Sequence, residues 1–78
     1  MQHNNPLVLK VFLEQTPNTM EYLTRTKLEA YSKLFHAAGW ECENSVDIYS
    51  ILGIFAEIGI VEIELDHRNR VNKIKRLI

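Results

Sequence analysis

One cysteine, two prolines and three glycines are all that this 78-residue chain carries of the residues that most constrain a backbone. The lone thiol, Cys42, has no partner within the chain, so there is no disulfide framework and nothing points to an oxidising compartment. No apolar run approaches the roughly 20 residues of a membrane-spanning helix, and the opening MQHNNP is polar, unlike a secretory signal. The expected setting is intracellular (nucleus in a eukaryote, cytoplasm or nucleoid otherwise), with no membrane partner. Chemistry-bearing spacings are missing too. His3, His36 and His67 are scattered, without HExxH or paired-cysteine spacing, so no metal site is expected. Cys42 sits between Glu41 and Glu43, which would raise its pKa and leave the thiol unactivated. No nucleophile–base arrangement can be drawn, and the expectation is a protein that is not an enzyme and takes no cofactor.

What is present is ordinary for a soluble globular chain: 46% hydrophobic and 24% charged residues, enough for one domain over residues 1–78 with a modest core. Net charge is −1, but it is unevenly spread. Residues 40–66 hold seven acids and no Lys or Arg, whereas residues 67–78 hold Arg68, Arg70, Lys73, Lys75 and Arg76 and no acid.

Ser45–Ile78 organises the rest. Ile48, Ile51, Leu52, Phe55 and Ile58 recur at helical spacing, with Ser45 as N-cap and Gly59 as a left-handed stop, which predicts a helix over 46–58. From Ile60 the period becomes two: Val61, Ile63 and Leu65 alternate with Glu62, Glu64 and Asp66. HRNR, residues 67–70, then reads as a turn, giving a hairpin of strands at 60–66 and 71–78. Pairing across that turn sets Glu64 opposite Lys73, Glu62 opposite Lys75 and Ile63 opposite Ile74. Such ion pairs contribute roughly 0.2–1 kcal/mol each and neutralise one another.

Upstream, Asn5-Pro6 opens a first helix over 6–15, whose Leu7, Val8, Leu9, Val11, Phe12 and Leu13 predict a largely buried element or one facing a missing neighbour. Met20–Leu23 is a short candidate strand for the hairpin. A second helix over 25–38 starts at Thr24 or Thr26, the latter with Glu29 at capping-box spacing, and Gly39 closes it. Trp40 is expected to pack over the helix end, and Glu41–Asn44 to turn into the third helix. Three helices ending in a hairpin predict a mainly α chain with a small β-hairpin: a winged helix-turn-helix.

The stretches KLEAYSKLFHAAGW and GIVEIELDHRNRVNKIKRLI resemble the C-terminal winged-helix domain of replication initiators, the family of origin recognition complex subunit one and cell division control protein six. The match rests on Glu29-Ala30-Tyr31-Ser32-Lys33 before a glycine, the run from Leu52 to Gly-Ile-Val at 59–61, and the basic ending Lys73–Leu77, over roughly residues 6–78. The chain has no GxxxxGK[ST], so the resemblance implies a DNA-binding module without ATP chemistry of its own. It implies duplex DNA as partner, in DNA replication at origins, together with other initiator or helicase subunits.

In that fold the third helix enters the major groove and the wing touches the backbone or minor groove. Here the third helix offers Ser45, Tyr49 and Ser50 but no cation, and Asp47 and Glu57 repel phosphate. Arg68, Arg70 and Arg76 show no obvious acidic partner in the sequence and are the preferred phosphate residues, followed by Lys73 and Lys75. The acidic stretch points the other way, to a protein-docking winged helix, and the apolar first helix to a missing neighbour or a homodimer contact; a small helix-turn-helix transcription regulator shares the shape.

Overall fold

The computed structural model describes residues 6–78. The elements run α1 (Pro6–Glu14), β1 (Glu21–Tyr22), α2 (Arg25–Ala37), α3 (Ser45–Glu57), β2 (Val61–Leu65) and β3 (Val71–Arg76). Three helices therefore accompany one small antiparallel sheet of order β1-β3-β2. The cap expected at Asn5 lies outside the described residues.

Helices α2 and α3 end in the same way. Gly39 (φ 92°) and Gly59 (φ 83°) take the left-handed region that favours glycine. The next N–H folds back to the carbonyl five residues earlier, Trp40 to Phe35 at 3.0 Å and Ile60 to Phe55 at 3.1 Å. Both stops then throw an apolar residue, Trp40 or Ile60, onto the core. The starts differ from expectation in one case. Thr24 caps α2, its hydroxyl accepting from the Lys27 N–H, as one of the two expected alternatives. The cap of α3 is Asn44 and not Ser45, which becomes the first helical residue. Asn44 wins because its third neighbour is Asp47. The Asn44 side chain accepts from the Asp47 N–H, and the Asp47 carboxylate accepts from the N–H groups of Asn44 and Glu43. The third neighbour of Ser45 is Ile48, which cannot return a bond.

The core is aromatic at its centre. Phe12 of α1 lies 4.9 Å from Tyr31, 5.5 Å from Phe35 and 5.0 Å from Phe55 between ring centroids, and Trp40 meets Phe55 edge-on at 6.3 Å. Leu52, Val61 and Ile74 extend the buried cluster onto the sheet. One polar pair is sealed into it: the Thr16 hydroxyl donates to the Phe12 carbonyl at 2.7 Å, so the 2.7 Å contact with Tyr31 has the tyrosine O–H donating. Helix α1 is less buried than its composition predicts. Phe12 is enclosed, Val8, Leu9, Val11 and Leu13 are half-buried, and Leu7 is exposed.

The hairpin register is the expected one for Glu62–Lys75, Ile63–Ile74 and Glu64–Lys73. It then slips at a bulge, so that Leu65 pairs with Val71. The slip turns Val71 inward, where it is buried with Ile74. Strand β1 is shorter than the expected 20–23 and pairs with β3, placing β3 at the sheet centre.

Candidate functional site

The five cations of residues 67–78 begin at the turn between β2 and β3. Asp66 builds that turn. Its carboxylate accepts from the N–H groups of Arg68 (2.8 Å) and Arg70 (3.0 Å) and from Arg70 Nε (3.1 Å). The Asp66 carbonyl accepts from the Asn69 N–H, and Asn69 takes φ 61°, the left-handed position that a glycine would otherwise fill. The Arg70 N–H, then the Arg68 N–H and the Arg70 guanidinium, hold the Asp66 carboxyl below its ordinary pKa. Arg70 is therefore paired, contrary to the expectation that it lacks an acidic partner; the acid stands four residues earlier, across the turn.

Arg76 has no acidic partner among the described residues, as expected, but its guanidinium donates to the Leu13 carbonyl at 3.1 Å and its N–H to the Pro17 carbonyl, which ties α1 to the sheet. Lys73 lies 3.9 Å from Glu64, the cross-strand neighbour expected for it, and 4.7 Å from the centre of the Tyr22 ring. Lys75 stands opposite Glu62 in register but forms no ion pair with it. Arg68 is exposed, and its guanidinium has no partner among the described residues.

Helix α3 presents its N-terminal half between two clefts. On the hairpin side, a cavity of about 370 Å³ is lined by Val46, Tyr49 and Gly53 of α3, by Ile63 and Leu65 of β2, and by Arg68 at its mouth. On the other side, a cleft of about 230 Å³ brings Arg25 and Ser32 of α2 to Asn44 and Ser45. Arg25 is not among the residues that the sequence points to. Its only sequence signal is its place in the first turn of α2, just after the Thr24 cap. The side chain is 93% exposed and lies 3.7 Å from Glu29, a contact of little energetic weight at such exposure.

Ser45 and Ser50 are exposed on α3, the Ser50 hydroxyl donating to the Val46 carbonyl at 3.0 Å, while Tyr49 is half-buried beside the larger cavity. Asp47, expected to repel phosphate, has its carboxylate turned back onto the helix start. Glu57 sits at the far end of the helix, but Glu41 and Glu43 are exposed in the turn just before it. Cys42 is buried, and burial raises its thiol pKa, opposed by the Ser32 hydroxyl and reinforced by Asp47 rather than by the flanking glutamates. Among the described residues no three His, Cys, Asp or Glu side chains gather as metal ligands, and no helix is long and apolar enough to cross a membrane.

Compared with known proteins, the chain matches no family model, no curated protein and no solved structure.

Proposed function

We propose that the chain is a winged helix-turn-helix module that holds duplex DNA, with α2 and α3 as the helix pair and β2–β3 as the wing. One observation carries this reading: an exposed arginine borders each of the two clefts that flank the N-terminal half of α3, Arg25 on one side and Arg68 on the other. A helix lying in the major groove has a phosphate backbone on both sides, and two flanking cations suit that geometry. Ser45 adds a hydroxyl donor on the exposed surface between them, whereas the single O–H of Ser50 is engaged by the Val46 carbonyl. The resemblance to the replication-initiator domain supports the same reading, and origin DNA is the substrate it proposes.

The expected grip is weak and dominated by phosphate. No cation stands on α3, and Glu41 and Glu43 oppose the backbone beside its start. Affinity should fall with salt at a slope of roughly −0.9 per phosphate contacted. Fluorescence anisotropy of a labelled duplex across a salt series tests this. Arg25→Ala and Arg68→Ala should each make the slope shallower by about one contact, while Lys73→Ala should leave it unchanged. Absence of binding by the wild-type chain at about 50 mM salt overturns the reading.

A second reading, a protein-docking winged helix on another replication or regulatory subunit, is favoured by exposed apolar residues on the same face. Val46 is 67% and Leu65 50% exposed.

A further inference from the structure

The groove between α3 and the hairpin is not explained by phosphate binding. Its walls are largely apolar: Val46, Tyr49, Ile63, Leu65 and Val71 line it beside the polar Ser50, with charge confined to the tip. At about 370 Å³ it lies within the range of sites that enclose a ligand's apolar groups, roughly 300–1,000 Å³. Gly53 gives it depth. This residue stands inside α3, where alanine would serve the helix better, and it has an ordinary helical backbone. A methyl group added at Gly53 would meet nothing within 4 Å, so no internal packing requires the glycine. What the missing side chain does is leave the groove open.

We infer that this groove is a docking site for an acidic amphipathic helix of a partner protein. The charges around it select the sign of the occupant. Asp66, the nearest acid at the tip, is already engaged by Arg70 and by two backbone N–H groups. Arg68 is left at the mouth with no carboxylate to pair with among the described residues. A helix that places apolar side chains against Val46, Ile63 and Leu65 and a Glu or Asp beside Arg68 satisfies both features. The walls are side chains from a helix and from the inner face of β2, which suits helix-in-groove docking. Because Arg68 also serves the proposed DNA grip, the peptide and the duplex compete for it.

The test is selection from a displayed library of amphipathic helical peptides, half with acidic and half with basic polar faces, on the folded wild-type chain. Acidic members should be enriched, and a selected peptide, fluorescently labelled, should lose about tenfold or more in affinity to Gly53→Leu, which fills the groove. Arg68→Ala should weaken the same peptide, and Arg25→Ala should not. Gly53→Leu places a good helix former in open space, and circular dichroism with thermal melting confirms that it folds; Gly53→Ala, a smaller filling, should give a smaller loss. Duplex binding should survive Gly53→Leu. No enrichment of acidic members, or peptide binding indifferent to Gly53→Leu, overturns the inference and leaves the DNA reading intact. Loss of duplex and peptide together in folded Gly53→Leu would make the groove part of the DNA interface and also overturns it. Self-association of the chain that is abolished by Gly53→Leu would make a second copy the occupant, which overturns it as well.

Discussion

Helix α3 has two apolar seams, and they are finished differently. Towards α1 and α2 the seam is closed: Ile48, Ile51 and Leu52 are buried and Phe55 meets Phe12 and Phe35. Towards the hairpin tip the seam is open: Val46, Leu65 and the Gly53 position line a cavity instead of filling one. The residue types are similar on both sides. Burial converts the first set into stability, and its absence leaves the second set available to another molecule.

The largest effect that separates the seams is a truncation in each. Phe12→Ala removes the ring at the centre of the aromatic cluster and should cost about 3–5 kcal/mol, enough to unfold a domain of this size or nearly so. Leu65→Ala, at half exposure, should cost less than about 1 kcal/mol. Urea denaturation of the two variants decides it. Equal costs would mean that the hairpin groove closes in solution.

The buried hydroxyl pair of the closed seam comes next. Thr16→Val keeps the shape but leaves the Tyr31 O–H enclosed without an acceptor, a loss of about 1–3 kcal/mol. Burial raises the Tyr31 pKa, with the Thr16 bond opposing. The folded state therefore keeps a proton that the unfolded tyrosine releases near its ordinary value of about 10. Stability from this group is fully present below that value and is lost as pH rises through the folded pKa. Urea midpoints at pH 8 and about 11 should drop further in wild type than in Tyr31→Phe; an equal drop would place the hydroxyl in contact with water.

Two glycines of the α3 region should respond with opposite signs. Gly59→Ala forces a side chain into φ 83° and should cost about 1–2 kcal/mol. Gly53→Ala enters open space in an ordinary helical residue and should gain about 0.5–1 kcal/mol. Melting both proteins tests the contrast, and a destabilised Gly53→Ala would show that the groove is filled by the chain itself.

Much of this comparison was legible in the sequence where a period or a local motif carried it. The switch from helical spacing to alternation at Ile60, the stops at Gly39 and Gly59, and three cross-strand pairs followed from pattern alone, because a one-residue slip would turn every apolar side chain of β2 outward. Asn44 as cap was equally readable from Asp47 three residues on, a spacing that outweighs the good capping chemistry of Ser45 beside it. Other features were hidden for physical reasons. Arg76 meets Leu13 across 63 positions, a tertiary contact that no local rule contains. The bulge that turns Val71 inward depends on the turn geometry that Asp66 builds. Arg25 matters only because α2 and the start of α3 share a cleft.

The smallest effect concerns Asp66 and bears on function more than on stability. Asp66→Asn keeps an oxygen for the Arg68 and Arg70 N–H groups but loses the charge that holds the Arg70 guanidinium. The turn should persist and Arg70 should be freed, adding about one phosphate contact to the salt dependence of duplex binding. Acid acts in the same direction on the wild-type chain. Because the folded pKa of Asp66 is depressed, its contribution is present above the unfolded carboxyl pKa and fades only as pH falls through the lower folded value. Amide shifts of Arg68 and Arg70, followed by NMR during acid titration, should share a midpoint below the ordinary aspartate value of about 3.9. A midpoint at the ordinary value would mean that the carboxylate does not hold the turn in solution. Arg70 would then stand free beside Arg68, and the tip of the hairpin would carry two available cations where the structure leaves one.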